Sequence, residues 1–252
     1  YEKAIKENTK IIYVETPSNP LLEIIDLQKI ALIAKNHHLI SMVDNTFASP
    51  INQNPHDFGI DLVVHSATKY LGGHSDILAG VVVSDDLKIK KIIESSINYG
   101  GNISELTAWM LERSIKTLPI RVKAQNENAL MIAKFLDKNS KVEKVNYPGL
   151  KSHPNYDLAK SQMIGFGGML SFVIKNEGKA DLFSKNLKII KTVGSLGGIE
   201  STITCPAKTS HSKVTREKRI KYGISDGLSR FSVGIEDYQD LEEDLNQAFK
   251  MI

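Results

Sequence analysis

Cysteine and aromatic rings are scarce: the 252 residues hold one cysteine, one tryptophan and 7% aromatic residues in all. A lone Cys205 forms no internal disulfide, which excludes a disulfide scaffold and suits a reducing compartment, so a cytoplasmic location is expected. Charge of one sign is also in short supply. Lys and Arg number 32 against 29 Asp and Glu, a formal net charge of +3, too little to argue for a polyanion partner. No uncharged apolar run approaches the roughly 20 residues of a membrane helix. The charge-alternating start, Tyr1 to Lys10, lacks the apolar centre of a signal peptide. Neither nucleic acid nor membrane is an expected partner.

Several catalytic motifs are missing as well. The sequence contains no Gly-x-x-x-x-Gly-Lys-Ser/Thr and no Gly-x-Gly-x-x-Gly, which excludes a P-loop and a dinucleotide fingerprint. Around Ser195 the first glycine of a nucleophile elbow is replaced by Val193. His65, His74 and Asp76 lack any supporting metal-ligand spacing, so no metal is expected. The densest basic cluster, Lys213, Arg216, Lys218, Arg219 and Lys221, has no interleaved aromatics and reads as a solvated helix face.

What is present is ordinary globular composition, 41% hydrophobic and 24% charged, enough for one large domain or two modest ones. The first half alternates strand-like and helix-like segments. Ile11 to Val14 is an apolar run closed by Glu15-Thr16-Pro17-Ser18-Asn19-Pro20. Leu27, Ile30, Ala31 and Ala34 then mark one helix face, with Asp26 as its N-cap. Leu39 to Val43, Asp61 to Val64 and Ala79 to Val83 read as buried strands, predicting a mostly parallel sheet covered on both faces. Leu106 to Asp137 is helical with a break at Pro119. Beyond it, strands at Val142 to Asn146, Met169 to Ile174 and Leu228 to Val233 mix with helices, predicting a smaller α+β domain. A final helix carries Tyr238, Leu241, Leu245, Ala248, Phe249 and Ile252 on one stripe.

Chemistry concentrates in Val43-Asp44-Asn45-Thr46-Phe47 and in Ser66-Ala67-Thr68-Lys69-Tyr70-Leu71-Gly72-Gly73-His74. Both follow predicted strands, where open α/β sheets place ligands. A carboxylate directly after an apolar strand is costly unless it meets a cation. Two hydroxyls on the turn before Lys69 can hold a phosphate while the amine is presented beside it. These features point to an anionic cofactor; the same residues also fit an N-capping Asp44 and a surface Lys69.

The order of several segments narrows this choice. Glu15 to Pro20, Val43 to Ala48 and Ser66 to His74 are followed by Tyr147-Pro148-Gly149-Leu150 and Gly165-Phe166-Gly167-Gly168, then by Ser195-Leu196-Gly197-Gly198 and Arg230-Phe231-Ser232-Val233-Gly234-Ile235-Glu236. This series resembles the Cys/Met-metabolism family of pyridoxal-phosphate (PLP) enzymes, the group of cystathionine γ-synthase, cystathionine γ-lyase and methionine γ-lyase, over nearly the whole chain.

The resemblance implies the type I PLP-dependent transferase fold, an α/β fold with a mostly parallel sheet in its large domain. Residues 1–118 would form the C-terminal part of that PLP-binding domain and residues 119–252 the smaller C-terminal domain. It implies that Lys69 bonds covalently to the cofactor aldehyde and later moves protons, and that Asp44 pairs with the pyridine nitrogen. Ser66 and Thr68 would hold the phosphate, and Asn19 would lie near the ring hydroxyl. Arg230 would grip the substrate α-carboxylate, with Ser195 on a loop at the same place. Glu200 would meet the distal amino group of cystathionine, which leans away from methionine γ-lyase. Small amino-acid substrates and a homo-oligomer are implied as partners.

The chain begins with Tyr1 rather than Met. The family's phosphate-binding glycine loop, its ring-stacking tyrosine and the tyrosine and arginine of a neighbouring subunit are expected upstream, so these residues alone should bind PLP weakly or not at all. Nothing here separates γ-replacement on O-acyl-homoserine from γ-elimination on cystathionine. Methionine γ-lyase or another PLP lyase of the family is an alternative. So are an aminotransferase of the same fold and, from another class, a non-catalytic remnant.

Overall fold

A computed structural model describes residues 1–252. The apolar runs pair as strands. β1 (Ile11–Glu15), β2 (Ile40–Asp44) and β3 (Leu62–Ser66) are parallel, and β4 (Gly80–Val83) adds to β3 antiparallel, giving the order β1-β2-β3-β4. Between β1 and β2 runs α1 (Leu27–Asn36), whose N-cap Asp26 accepts the Lys29 N–H at 3.0 Å. Its Leu27, Ile30 and Ala34 pack on Ile12, Val14, Val43 and Val63, so strand alternation buries one face of the sheet. The opposite face carries Tyr13, Glu15, Asp44, Val64 and Ser66.

That second face corrects the expectation of a sheet covered on both sides. On that face Tyr13 is 54% and Val82 38% exposed, and Val83, on the α1 side of the same strand expected to be buried, is 49% exposed. β4 is an edge strand, and an apolar run does not specify whether another element covers it. The helices that follow are α2 (Ser49–Asn52) in the β2–β3 connection, α3 (Asp86–Tyr99) and α4 (Glu105–Ile115). α3 buries none of its residues, and Trp109 on α4 is 60% exposed.

The helical stretch around Pro119 breaks just before the proline. α5 (Leu118–Asp137) starts there with Pro119 in its first turn, where a missing N–H costs nothing, and the expected boundary at 118/119 falls on that turn. The remaining elements are β5 (Val142–Asn146), α6 (Tyr156–Gln162), β6 (Met169–Ile174), α7 (Ala180–Lys185), β7 (Lys191–Thr192), β8 (Thr202–Thr204), α8 (Arg216–Lys221), β9 (Leu228–Ser232) and α9 (Tyr238–Lys250). They form a second sheet in the order β5-β6-β9-β8-β7, antiparallel except for β7–β8. The apolar stripe of α9 docks on it through Leu241, Leu245, Ala248 and Phe249. The basic cluster is not wholly solvated: Arg219 is buried and bonds to Asp226 at 2.8 Å. No helix is long and apolar enough to cross a membrane.

The two sheets meet over one apolar cluster. Phe47, Ala67, Tyr70 and Leu71 from the first pack with Met169 and Leu196 from the second and with Leu118 and Val122 of α5. This contact sets the central strand β9 across from the C-terminal ends of β1, β2 and β3.

Candidate active site

Four chain segments converge at those strand ends. Glu15 and Asp44 are direct cross-strand neighbours at the last positions of β1 and β2. Asp44 is oriented from both sides: Oδ1 accepts the Thr46 N–H at 2.9 Å and Oδ2 accepts the Tyr13 hydroxyl at 3.2 Å. Burial, then the Asp44 charge, pushes the Tyr13 phenol up to about 12, so it stays a donor at neutral pH. Burial first and Asp44 second also raise Glu15, to about 7. Neither Tyr13 nor Glu15 had been singled out in the sequence, although Glu15 carries the same signal as Asp44, a carboxylate directly after an apolar strand.

The lysine turn comes next. Lys69 N–H bonds to Ser66 O at 3.1 Å and Gly73 N–H to Lys69 O at 2.7 Å, closing a tight loop. The Ser66 backbone N–H donates to Thr46 Oγ1 at 2.8 Å, tying this turn to the one after β2. Thr68 Oγ1 bonds to the Ala79 main chain, accepting at 3.0 Å and donating at 3.3 Å. Half-burial, with the Arg230 charge second, holds the Lys69 amine below the usual lysine range, which enlarges its nucleophilic neutral fraction. His65 points from β3 to the other face and is lowered by burial; His74 bonds locally to Gly72 O at 2.8 Å.

Arg121 was also missed, and it supports this loop from beneath. Its guanidinium, buried on α5, donates to Tyr70 O at 2.8 Å, Leu71 O at 3.3 Å and Ser114 O at 3.0 Å. A side chain on Gly73 would stand 2.0 Å from its Nη1, so the loop passes there only as glycine.

From the second sheet, Arg230 is 5% exposed at the centre of β9. Nη1 donates to Asn19 Oδ1 at 3.2 Å and Nη2 to Gly194 O at 3.1 Å. Asn19 thus sits on the guanidinium. Ser195 follows Gly194 on the same loop, half-buried, its carbonyl accepting the Thr202 hydroxyl at 3.0 Å. Glu200, farther along, accepts the Ser75 hydroxyl from the end of the lysine loop. A cleft of about 570 Å³ opens beside Asn19, lined also by Ser18, Glu23, His211 and Tyr222. A larger hollow of about 680 Å³ along α9 contains none of the residues just described.

None of the chain's ion pairs includes Asp44, Lys69 or Arg230. A half-buried carboxylate, a half-buried amine and a buried guanidinium without counter-ions are expensive unless something else satisfies them. The donor set fits PLP: a carboxylate for a protonated ring nitrogen, hydroxyls for a phosphate and an amine for an aldehyde. The guanidinium remains for a second carboxylate.

Comparison with known proteins agrees. Residues 1–250 match the family described as Cys/Met metabolism PLP-dependent enzyme. The chain is 48% identical over its whole length to cystathionine gamma-lyase of Bacillus subtilis, covering 66% of that protein. It is 46% identical over 98% of its length to cystathionine beta-lyase of Lactococcus lactis, covering 65% of it. The crystal structure of cystathionine gamma-lyase from Lactobacillus plantarum complexed with L-serine superposes with a TM-score of 0.95 at 43% identity, over all of this chain and 66% of that one. The present chain therefore spans about two thirds of the length of these relatives. Its fold is the type I fold of PLP-dependent enzymes, and the chain belongs to the Cys/Met metabolism family of PLP-dependent enzymes.

Proposed function

We propose that the full-length protein is a PLP-dependent trans-sulfuration lyase that cleaves a carbon–sulfur bond of cystathionine. The observation that carries this reading is the buried Arg230 guanidinium, bonded only to neutral oxygens, across from Asp44 and near the lowered Lys69 amine. A planar fork with no carboxylate of its own suits the α-carboxylate of an amino acid. The relatives reported above are named as lyases, which favours elimination over replacement.

When bound, PLP supplies an electron sink for charge developing at the substrate Cα. Asp44, fixed by Tyr13 and Thr46, would keep the ring nitrogen protonated, and Ser66 would hold the phosphate, joined by Thr68 once its hydroxyl turns away from Ala79 O. Arg230 and Asn19 would orient the substrate through its carboxylate, with the Ser195 loop closing the same side. Lys69 Nζ, once released from the cofactor, would take the proton from Cα and return it where the departing thiol needs it. The cleft beside Asn19 gives the rest of a two-ended substrate a place to lie. Glu200, which lies beside Ser75 and outside that cleft, would meet the distal amino group of a substrate that extends along the lysine loop instead. The apolar side chains exposed on α3 and α4, Leu87, Ile93, Ile97 and Trp109 among them, support assembly into a homo-oligomer.

Borohydride reduction of the PLP-loaded full-length protein, followed by peptide mapping, tests the site; attachment at Lys69 is expected, and attachment elsewhere refutes it. Assays with cystathionine, with O-acyl-homoserine plus cysteine and with methionine test the reaction. A 2-oxo acid released from cystathionine, and lost in Lys69→Ala, is the expected result. An inert, PLP-free protein would instead fit a non-catalytic role.

A further inference from the structure

Glu15 has no part in the chemistry assigned above, yet it occupies a connecting position. Its carboxyl group stands beside Asp44 across the β1–β2 register. The Asn19 backbone N–H opposes the effect of Asp44 on that carboxyl, and Asn19 Oδ1 accepts from Arg230 Nη1 at 3.2 Å. The Thr16 N–H on the same turn donates to Asp44 O at 3.4 Å, so the segment leading to Asn19 hangs from the end of β2. The charged and titratable groups facing Glu15 are Tyr13 on its own strand, Asp44 on β2 and Arg230 on β9.

We propose that Glu15 is a positioning residue of this site, a carboxyl group beside Asp44 at the strand end leading to the Asn19–Arg230 arm, whose charge governs how far Arg230 is available to a substrate carboxylate. The inference rests on reading Asp44 as the ring-nitrogen partner and Arg230 as the carboxylate clamp.

Its opposed neighbours define what Glu15 does. A second negative charge beside Asp44 is unfavourable, so the proton is held on Glu15 while Asp44 serves the ring nitrogen. When Glu15 does ionise, it attracts Arg230 and competes with an incoming substrate carboxylate. Glu15 therefore leaves the guanidinium free for substrate while it is neutral and draws it back once charged.

Two measurements test this. In cofactor-free full-length protein labelled with carboxyl-13C glutamate, the Glu15 resonance is assigned by its disappearance in Glu15→Gln or, should that variant not fold, Glu15→Asp. Its titration midpoint should move down in Asp44→Asn, which removes a like charge, and up in Arg230→Met, which removes an opposite one. A midpoint that moves in neither variant overturns the proposal. In PLP-loaded protein, KM for cystathionine should rise about three- to tenfold from pH 6 to pH 9. Glu15→Gln should flatten that rise, the difference lying in KM rather than in kcat; identical KM profiles overturn the proposal. If cystathionine is not turned over at all, the proposed function fails, and the resonance midpoints still decide the placement of Glu15.

Discussion

Gly197 lies directly against the peptide that joins Lys69 to Tyr70. A Cβ built on it would stand 2.9 Å from the Tyr70 nitrogen and 3.1 Å from the Lys69 carbonyl carbon. Its φ of +75° is one that side chains rarely adopt. The Gly197 N–H also donates to Ser232 Oγ at 2.8 Å, which anchors the loop to β9. The glycine in Ser195-Leu196-Gly197-Gly198 is thus the point where the second sheet's loop touches the lysine turn. Gly197→Ala should cost about 1–3 kcal/mol from strain and backbone displacement together. Urea unfolding checks the stability, and PLP titration checks the turn. Unchanged values in both would mean that the loops part easily.

Arg121 gives a second prediction. It places a buried charge beneath the lysine loop, satisfies the Tyr70 and Leu71 main-chain carbonyls there and also reaches Ser114 O at the end of α4. Arg121→Met keeps much of the volume but leaves the Tyr70 and Leu71 carbonyls unpaired, while Ser114 O keeps its Thr117 donors; the expected cost is about 2–4 kcal/mol in unfolding free energy. PLP affinity should fall as well, because the turn bearing Lys69 loses its support. A variant as stable as the parent and with full PLP uptake would show that the loop holds its shape through Gly72 and Gly73 alone.

These two residues show what the sequence can reveal about such a site. The placement of Asp44 and Lys69 at strand ends is legible because each stands in a short segment whose local pattern, strand then charged turn, carries the signal. The N-cap at Asp26, the α9 stripe and the break before Pro119 were legible for the same reason: their determinants lie within one or two helical turns. Arg121 lies in a helix otherwise read by its apolar face, and its partners are about 50 residues away in sequence. Asn19 is expected near a ring hydroxyl; that it also contacts Arg230 is a link between segments with no local trace. Val82 and Val83 looked like core because hydrophobicity identifies a strand and not what covers it.

Lys69 and Arg230 should be coupled in titration. The Lys69 amine is held low chiefly by burial and secondarily by the Arg230 charge. Only the neutral amine attacks an aldehyde, so labelling by PLP with borohydride should reach half its maximum below the ordinary lysine value of 10.5. Arg230→Met removes a like charge, so the midpoint should move upward; Arg230→Lys, which keeps the charge, should leave it nearly in place. With a functional enzyme the same pair separates charge from geometry. Lys cannot reproduce the planar fork, and Arg230→Lys should raise KM by about 10-fold or more. Equal KM values in the two proteins would argue that the carboxylate binds elsewhere.

Glu15 also contributes to the pH dependence of stability. Its carboxyl is raised from an ordinary 4.5 to about 7 in the folded chain, by burial first and by Asp44 second. The unfolded chain therefore releases this proton at lower pH than the folded one does. Its contribution to stability is complete below about pH 4.5 and is lost as pH rises through about 7. Glu15→Gln carries no proton to lose. The variant should exceed the parent at pH 8 by about 1–2 kcal/mol, less than the full shift would give because the site is partly hydrated. At pH 5 the two should be nearly alike, since both then present a neutral group to Asp44. Unfolding midpoints measured at both pH values check the sign. A variant less stable than the parent at pH 8 would mean that the ionised Glu15 gains more from Arg230 than it loses to Asp44.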